Sequence, residues 1–158
     1  MRTREAEERT LQAAMVAAVG ALHRRERTTA ELREWLAARD VREELVEAVI
    51  GELAAIGELD DERFAHAFAA DKRELSGWGP ERIEATLLDR GLTRALAERA
   101  AAEPREDQLA RATTQLQERF GVLGDDGQRG RALAFLGRRG YDYELAYAAI
   151  RRAGRDAA

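Results

Sequence analysis

Apolar residues along this chain recur at three- and four-residue spacing and never gather into alternating runs, so the pattern predicts helices and leaves little material for a sheet. Thr28-Thr29-Ala30-Glu31 reads as a capping box that opens a helix carrying Leu32, Trp35 and Leu36, with Asp40 breaking the pattern. Leu45, Val46, Val49, Ile50 and Leu53 form the next stripe, closed by Gly57. Asp60 and Asp61 suit a helix start, where unpaired N–H groups favour carboxylates, and Phe64, Ala65, Phe68 and Leu75 follow them.

The pattern then returns. Gly77-Trp78-Gly79-Pro80 is a turn with Pro at a first helical position. Ile83, Leu87 and Leu88 make a stripe ending at Arg90-Gly91, and Thr93 caps a helix bearing Leu96 and Ala100. After Glu103-Pro104, Asp107 begins a helix with Leu109, Ala112, Leu116 and Phe120. The stretch 121–130, with four Gly and two Asp, predicts a loop. Ala132, Leu133, Phe135 and Leu136 form a helix ending at Arg139-Gly140, and Tyr141-Asp142 leads the last one, with Leu145, Ala146, Ala149 and Ile150.

These stripes contain an internal repeat. Leu36-x-x-Arg39-Asp40-Val41 matches Leu87-x-x-Arg90-Gly91-Leu92 and Leu136-x-x-Arg139-Gly140-Tyr141, at offsets of 51 and 49 residues. A longer helix precedes each pair, at roughly 5–25, 60–75 and 106–119. The expected organisation is all-α: three tandem three-helix repeats over 1–57, 58–105 and 106–158. Such a chain stacks units into an elongated rod and offers a long face to a partner rather than a deep pocket.

Composition narrows the function classes. Of 158 residues, 45% are apolar, but 32 are Ala and only 6% are aromatic, so large core side chains are few. There is no Cys, which removes disulfides, thiolate metal sites and a Cys nucleophile and points to a cytosolic or at least disulfide-independent protein. No apolar stretch is long enough to cross a membrane. The net charge is −4, distributed as −2, −3 and +1 over the three repeats. Residues 127–155 carry seven Arg against Asp142 and Glu144, so the third repeat is the basic end of an acidic chain.

Candidate chemistry is sparse. Asp60-Asp61-Glu62 reads as a helix cap rather than a metal cluster, because neighbours on a helix point apart. His23 and His66 have no ligand neighbours in sequence, and Ser76 has no nearby base. Gly77-Trp78-Gly79 reads as a tight turn before it reads as a phosphate cradle, since Pro80 removes a donor and Glu81 supplies a competing carboxylate. No catalytic constellation, cofactor or metal is expected. The remaining candidates are Arg residues, Arg131, Arg138 and Arg139 on one helix and Arg151, Arg152 and Arg155 on the next, which by themselves read first as a solvated helix face and second as a partner contact. Their guanidinium groups suit phosphates or protein carboxylates.

Four stretches resemble the RecX family of recombinase regulators: Arg27 to Leu36; Gly57-Glu58-Leu59-Asp60-Asp61-Glu62-Arg63-Phe64-Ala65; Gly77 to Gly91; and Phe135-Leu136-x-Arg138-Arg139-Gly140-Tyr141. They fall in the family's order over almost the whole chain. Glu58 stands where the family often has an aromatic residue, and Thr28 where Ser is frequent. The resemblance implies three three-helix repeats in a curved, elongated molecule. It implies binding along RecA nucleoprotein filaments on single-stranded DNA, and inhibition of RecA's ATPase, strand-exchange and coprotease activities. It also implies a non-enzymatic cytoplasmic protein and, for the six Arg residues, partner contact over a solvated face; weak direct DNA contact and an elongated monomer are expectations beside it, not drawn from the resemblance.

The rival expectation is a helix-turn-helix-type DNA-binding protein that acts without RecA, since three-helix units with short Gly turns suit that motif. A net charge of −4 and a pI near 5.4 argue against strong DNA binding by the chain alone.

Overall fold

A computed structural model describes residues 1–158, and every regular element in it is an α-helix. In chain order these are α1 (Arg2–Arg24), α2 (Thr29–Ala37), α3 (Glu43–Ala55), α4 (Asp61–Ser76), α5 (Pro80–Asp89), α6 (Arg94–Ala101), α7 (Arg105–Phe120), α8 (Asp126–Arg139) and α9 (Tyr143–Asp156). The starts follow the capping chemistry. Thr28 accepts from the Glu31 N–H while the Glu31 side chain accepts from the Thr28 N–H. Asp60 accepts from the Arg63 N–H, and Asp142 from that of Leu145.

One expectation fails. Residues 126–130 are the first turn and a half of α8, not loop, and only 121–125 are irregular. The Asp125 carboxylate accepts from the Gln128 N–H, and this cap supports a helical start despite Gly127 and Gly130.

The repeated motif has a common geometry. Leu36, Leu87 and Leu136 are fully buried. The position four residues later takes a left-handed backbone in each copy, with φ of 58° at Asp40, 86° at Gly91 and 94° at Gly140. In the first and third copies the N–H groups of Val41 and Tyr141 reach back to the carbonyls of Leu36 and Leu136, which closes the helix end. Glycine adopts this backbone freely; Asp is one of the few other residues that tolerates it.

The chain divides into two compact units: Met1–Ala65 with Asp89–Thr93, and His66–Leu88 with Arg94–Ala158. In the first, α1, α2 and α3 pack together around Ala14, Ala18, Leu32, Leu36, Val46, Val49, Ile50, Leu53 and Leu59. Small Ala residues at helical spacing on α1 permit close approach. In the second, α9 packs on α7 and α8 around Leu116, Phe135, Leu136, Tyr141, Leu145 and Ile150.

The α5–α6 turn belongs to the first unit because it docks on the start of α2. The buried Thr28 hydroxyl donates to the Arg90 carbonyl at 2.8 Å. The Arg90 guanidinium binds Glu31 through two bonds of 2.7 and 3.0 Å and lies 4.5 Å over the Phe64 ring. The second unit repeats the device, with the α8–α9 turn docked on the start of α5. The Gly79 N–H donates to the Arg139 carbonyl at 2.7 Å, and the Glu81 N–H to the Gly140 carbonyl at 3.1 Å. In both places an Arg-Gly turn supplies carbonyl acceptors to the start of a helix from the preceding copy of the motif.

Candidate functional site

The last helix carries two stripes. Leu145, Ala146, Ala149, Ile150 and Ala153 face the core. Tyr143, Tyr147, Arg151 and Arg155 recur every four residues and are exposed. The two Tyr rings meet edge-on at 5.3 Å, with 67% and 46% of their surfaces in solvent. The start of this helix is fixed by Asp142, which caps Leu145 and binds Arg105 at 2.8 and 3.2 Å. Arg105 holds the Asp142 carboxyl below the usual carboxylate range.

Beside the stripe lies a groove of about 910 Å³ between α8 and α9. Leu123, Leu133 and Ile150 give it an apolar lining, Tyr147 joins them, and Arg129, Arg151 and Arg155 bring cationic heads. Asp126 is the one carboxylate of the lining and is bound by Arg129 at 3.0 Å.

The six Arg residues expected from sequence separate into three pairs. Arg151 and Arg155 come together at the groove. Arg131 and Arg138 are exposed on α8 outside it, and the Arg138 carbonyl accepts from Arg82 at 3.0 Å. Arg139 and Arg152 serve the fold. Arg139 is half-buried, donates to the Ser76 carbonyl and lies 4.8 Å over the Phe135 ring. Arg152 binds Glu106 at 2.6 Å. Sequence reasoning passed over Tyr143, Tyr147 and Arg129; the four-residue spacing that continues from the two Tyr into Arg151 and Arg155 was the available signal.

A second cleft, of about 680 Å³, is lined among others by Arg73, Arg111, Gln115 and Arg139, but these side chains are committed internally. Arg111 holds Glu103 through two bonds of 2.5 Å and donates to the Tyr141 hydroxyl at 3.0 Å. The Glu103 bonds raise the Arg111 pKa above the ordinary arginine value. Tyr141 donates to the Gly77 carbonyl at 2.8 Å, and Gln115 donates to both at 3.0 Å. Burial pushes the Tyr141 hydroxyl pKa up. Arg73 donates to the carbonyls of Ala100 and Ala102.

The remaining sequence candidates have structural partners. Asp60 caps α4, and no group of three or more His, Cys, Asp or Glu is placed to hold a metal ion. His23 lies 3.8 Å from Glu58. The N–H groups of Gly79 and Glu81, which an anion would need, bond the docked turn. Trp78 sits between Lys72 and Arg82, at 4.7 and 4.0 Å from its ring. No helix is long and apolar enough to cross a membrane.

Comparison with known proteins matches residues 14–53 to the family model described as RecX, first three-helix domain, and residues 60–100 to RecX, second three-helix domain. The chain is similar to Regulatory protein RecX of Xanthomonas campestris pv. campestris (strain B100), with 39% identity over 127 residues covering 79% of this chain and 78% of that protein. It is similar to Regulatory protein RecX of Halorhodospira halophila (strain DSM 244 / SL1), with 36% identity over 142 residues covering 89% and 88%. Its fold is that of the crystal structure of RecX from Lactobacillus salivarius, with a TM-score of 0.82 and 20% identity over 92% of this chain and 97% of that one.

Proposed function

Since this chain belongs to the RecX family of regulatory proteins, we propose that it binds RecA nucleoprotein filaments on single-stranded DNA and inhibits RecA's ATPase, strand-exchange and coprotease activities. The observation that carries this reading is the family likeness across most of the chain, joined to an exposed Tyr-Arg stripe on α9. The action is non-covalent. The three repeats 1–57, 58–105 and 106–158 occupy the filament surface as a monomer in the cytoplasm, and the basic third repeat orients the chain toward filament carboxylates or DNA phosphates. Among the six Arg residues, Arg151 and Arg155 are the contacts we assign, because they are exposed together.

The test is RecA's ATPase on single-stranded DNA, titrated with this protein at two salt concentrations. Inhibition is the expected result, and inhibition well below one chain per RecA favours filament capping or disassembly over one-to-one blocking. Absence of inhibition overturns the proposal. If the chain then binds bare DNA with steep salt dependence, the helix-turn-helix-type reading replaces it.

A further inference from the structure

The groove between α8 and α9 has a composition that a purely electrostatic contact does not require. Its lining is aliphatic, from Leu123, Leu133 and Ile150, while its charge is held by Arg129, Arg151 and Arg155. Two glycines, Gly130 and Gly154, also line it. Both lie inside helices, where glycine is less stable than alanine, and a Cβ built on either meets nothing within 4 Å. Their absent side chains leave the groove open.

We propose that this groove docks an acidic protein segment that carries apolar anchor side chains. The anchors would enter the aliphatic floor, and the segment's carboxylates would meet Arg151 and Arg155, the two rim cations that make no ion pair within the chain, while Arg129 already holds Asp126. Charge complementarity selects an anionic occupant. The aliphatic lining selects a peptide over a nucleic acid, because bases stack on aromatic faces and only Tyr147 offers one in the groove. The chain's net charge of −4 further disfavours a long polyanion. This deepens the filament-binding reading and rests on it only for which protein supplies the segment.

The test measures fluorescence anisotropy of a labelled synthetic peptide of Glu with Leu at helical spacing, titrated with the full chain. Saturable binding is expected, weakened at least about tenfold by Gly154→Leu, which fills the groove, and by Arg151→Glu with Arg155→Glu. A peptide with Gln in place of Glu should bind at least about tenfold more weakly. Circular dichroism and unfolding of Gly154→Leu check that the helices persist; if they do not, Gly130→Gln is the substitute. Peptide affinity unchanged by the groove variants overturns the proposal, as does binding of an oligo-dT strand at the groove in preference to the peptide. RecA ATPase inhibition, run in parallel, separates the two readings: a chain that binds the peptide but leaves RecA active keeps the groove and loses the filament.

Discussion

Gly140 lies so close to Arg82 that a Cβ on the glycine would stand 2.4 Å from both the Cβ and the amide nitrogen of the arginine. Its φ is also 94°, so two separate constraints meet at one residue. Gly91 repeats the relationship against Ala30, at 2.5 Å. Gly57 has only the backbone constraint: its φ is 77°, and nothing lies within 4 Å of its missing Cβ.

These three positions separate strain from docking. Gly57→Ala should cost about 1–2 kcal/mol, the left-handed penalty alone. Gly140→Ala and Gly91→Ala should cost about 2–5 kcal/mol, because the turn must also move away from the helix it docks on. Urea denaturation of the three variants decides it. Equal losses would mean that the turns have room to shift and that docking contributes little.

Tyr141 joins the α8–α9 turn to the Gly77 carbonyl, and its hydroxyl accepts from Arg111 and Gln115. Tyr141→Phe keeps the ring in the core but strips these donors of an acceptor. The expected loss is about 1–3 kcal/mol, the range for buried polar groups left without partners. A loss below about 0.5 kcal/mol in the same unfolding measurement would show that water replaces the hydroxyl.

Glu31 gives a pH dependence with a definite sign. Burial pushes its carboxyl up, but the bonds from Arg90 and from the Thr28 N–H outweigh it and hold it below the ordinary 4.5. A carboxyl lowered on folding contributes stability that is complete above its unfolded value and is lost as pH falls through the folded one. Glu31→Gln should therefore be less stable than the parent at neutral pH, by about 1–3 kcal/mol. The gap should close as the medium is acidified below pH 4.5. Thermal melts of both proteins from neutral to acid pH test this, and parallel curves would count against the Arg90–Glu31 pair.

What the sequence made legible was local. The capping box needs Thr28 and Glu31 three residues apart, and the repeat shows as Leu, Arg and a turn residue at fixed offsets. The docking of one copy's turn on another copy's helix joins residues 56 to 64 positions apart, and no spacing rule within a helix reports such a pair. Asp40 illustrates the gap. It shares the left-handed backbone of Gly91 and Gly140 but is exposed, so it needs only that backbone and not the missing Cβ. Counting charge over 127–155 located the basic end but treated all its Arg residues alike. Angular position around α9 is what sends Arg152 to Glu106 and leaves Arg151 and Arg155 in line with Tyr143 and Tyr147. The glycines of 121–130 misled in the other direction, because low helix propensity was outweighed by a cap at Asp125.

That angular sorting leads to a functional prediction in which neighbouring charges behave differently. Arg151→Glu with Arg155→Glu should leave the fold intact, since both side chains are exposed and neither has a buried partner to lose. If the α9 stripe meets the filament, the double variant should need at least about tenfold more protein to inhibit RecA's ATPase, and raising the salt should narrow the difference. Arg139→Glu should fail for another reason. It removes the Ser76 contact and puts a carboxylate against the Phe135 ring, so unfolding should register the damage before any filament assay does. Arg138→Glu, exposed on α8 outside the groove, separates local from general charge effects. Inhibition lost equally with Arg138→Glu and with the α9 pair would mean that the filament senses the net charge of the third repeat, and the assignment to Arg151 and Arg155 would fall.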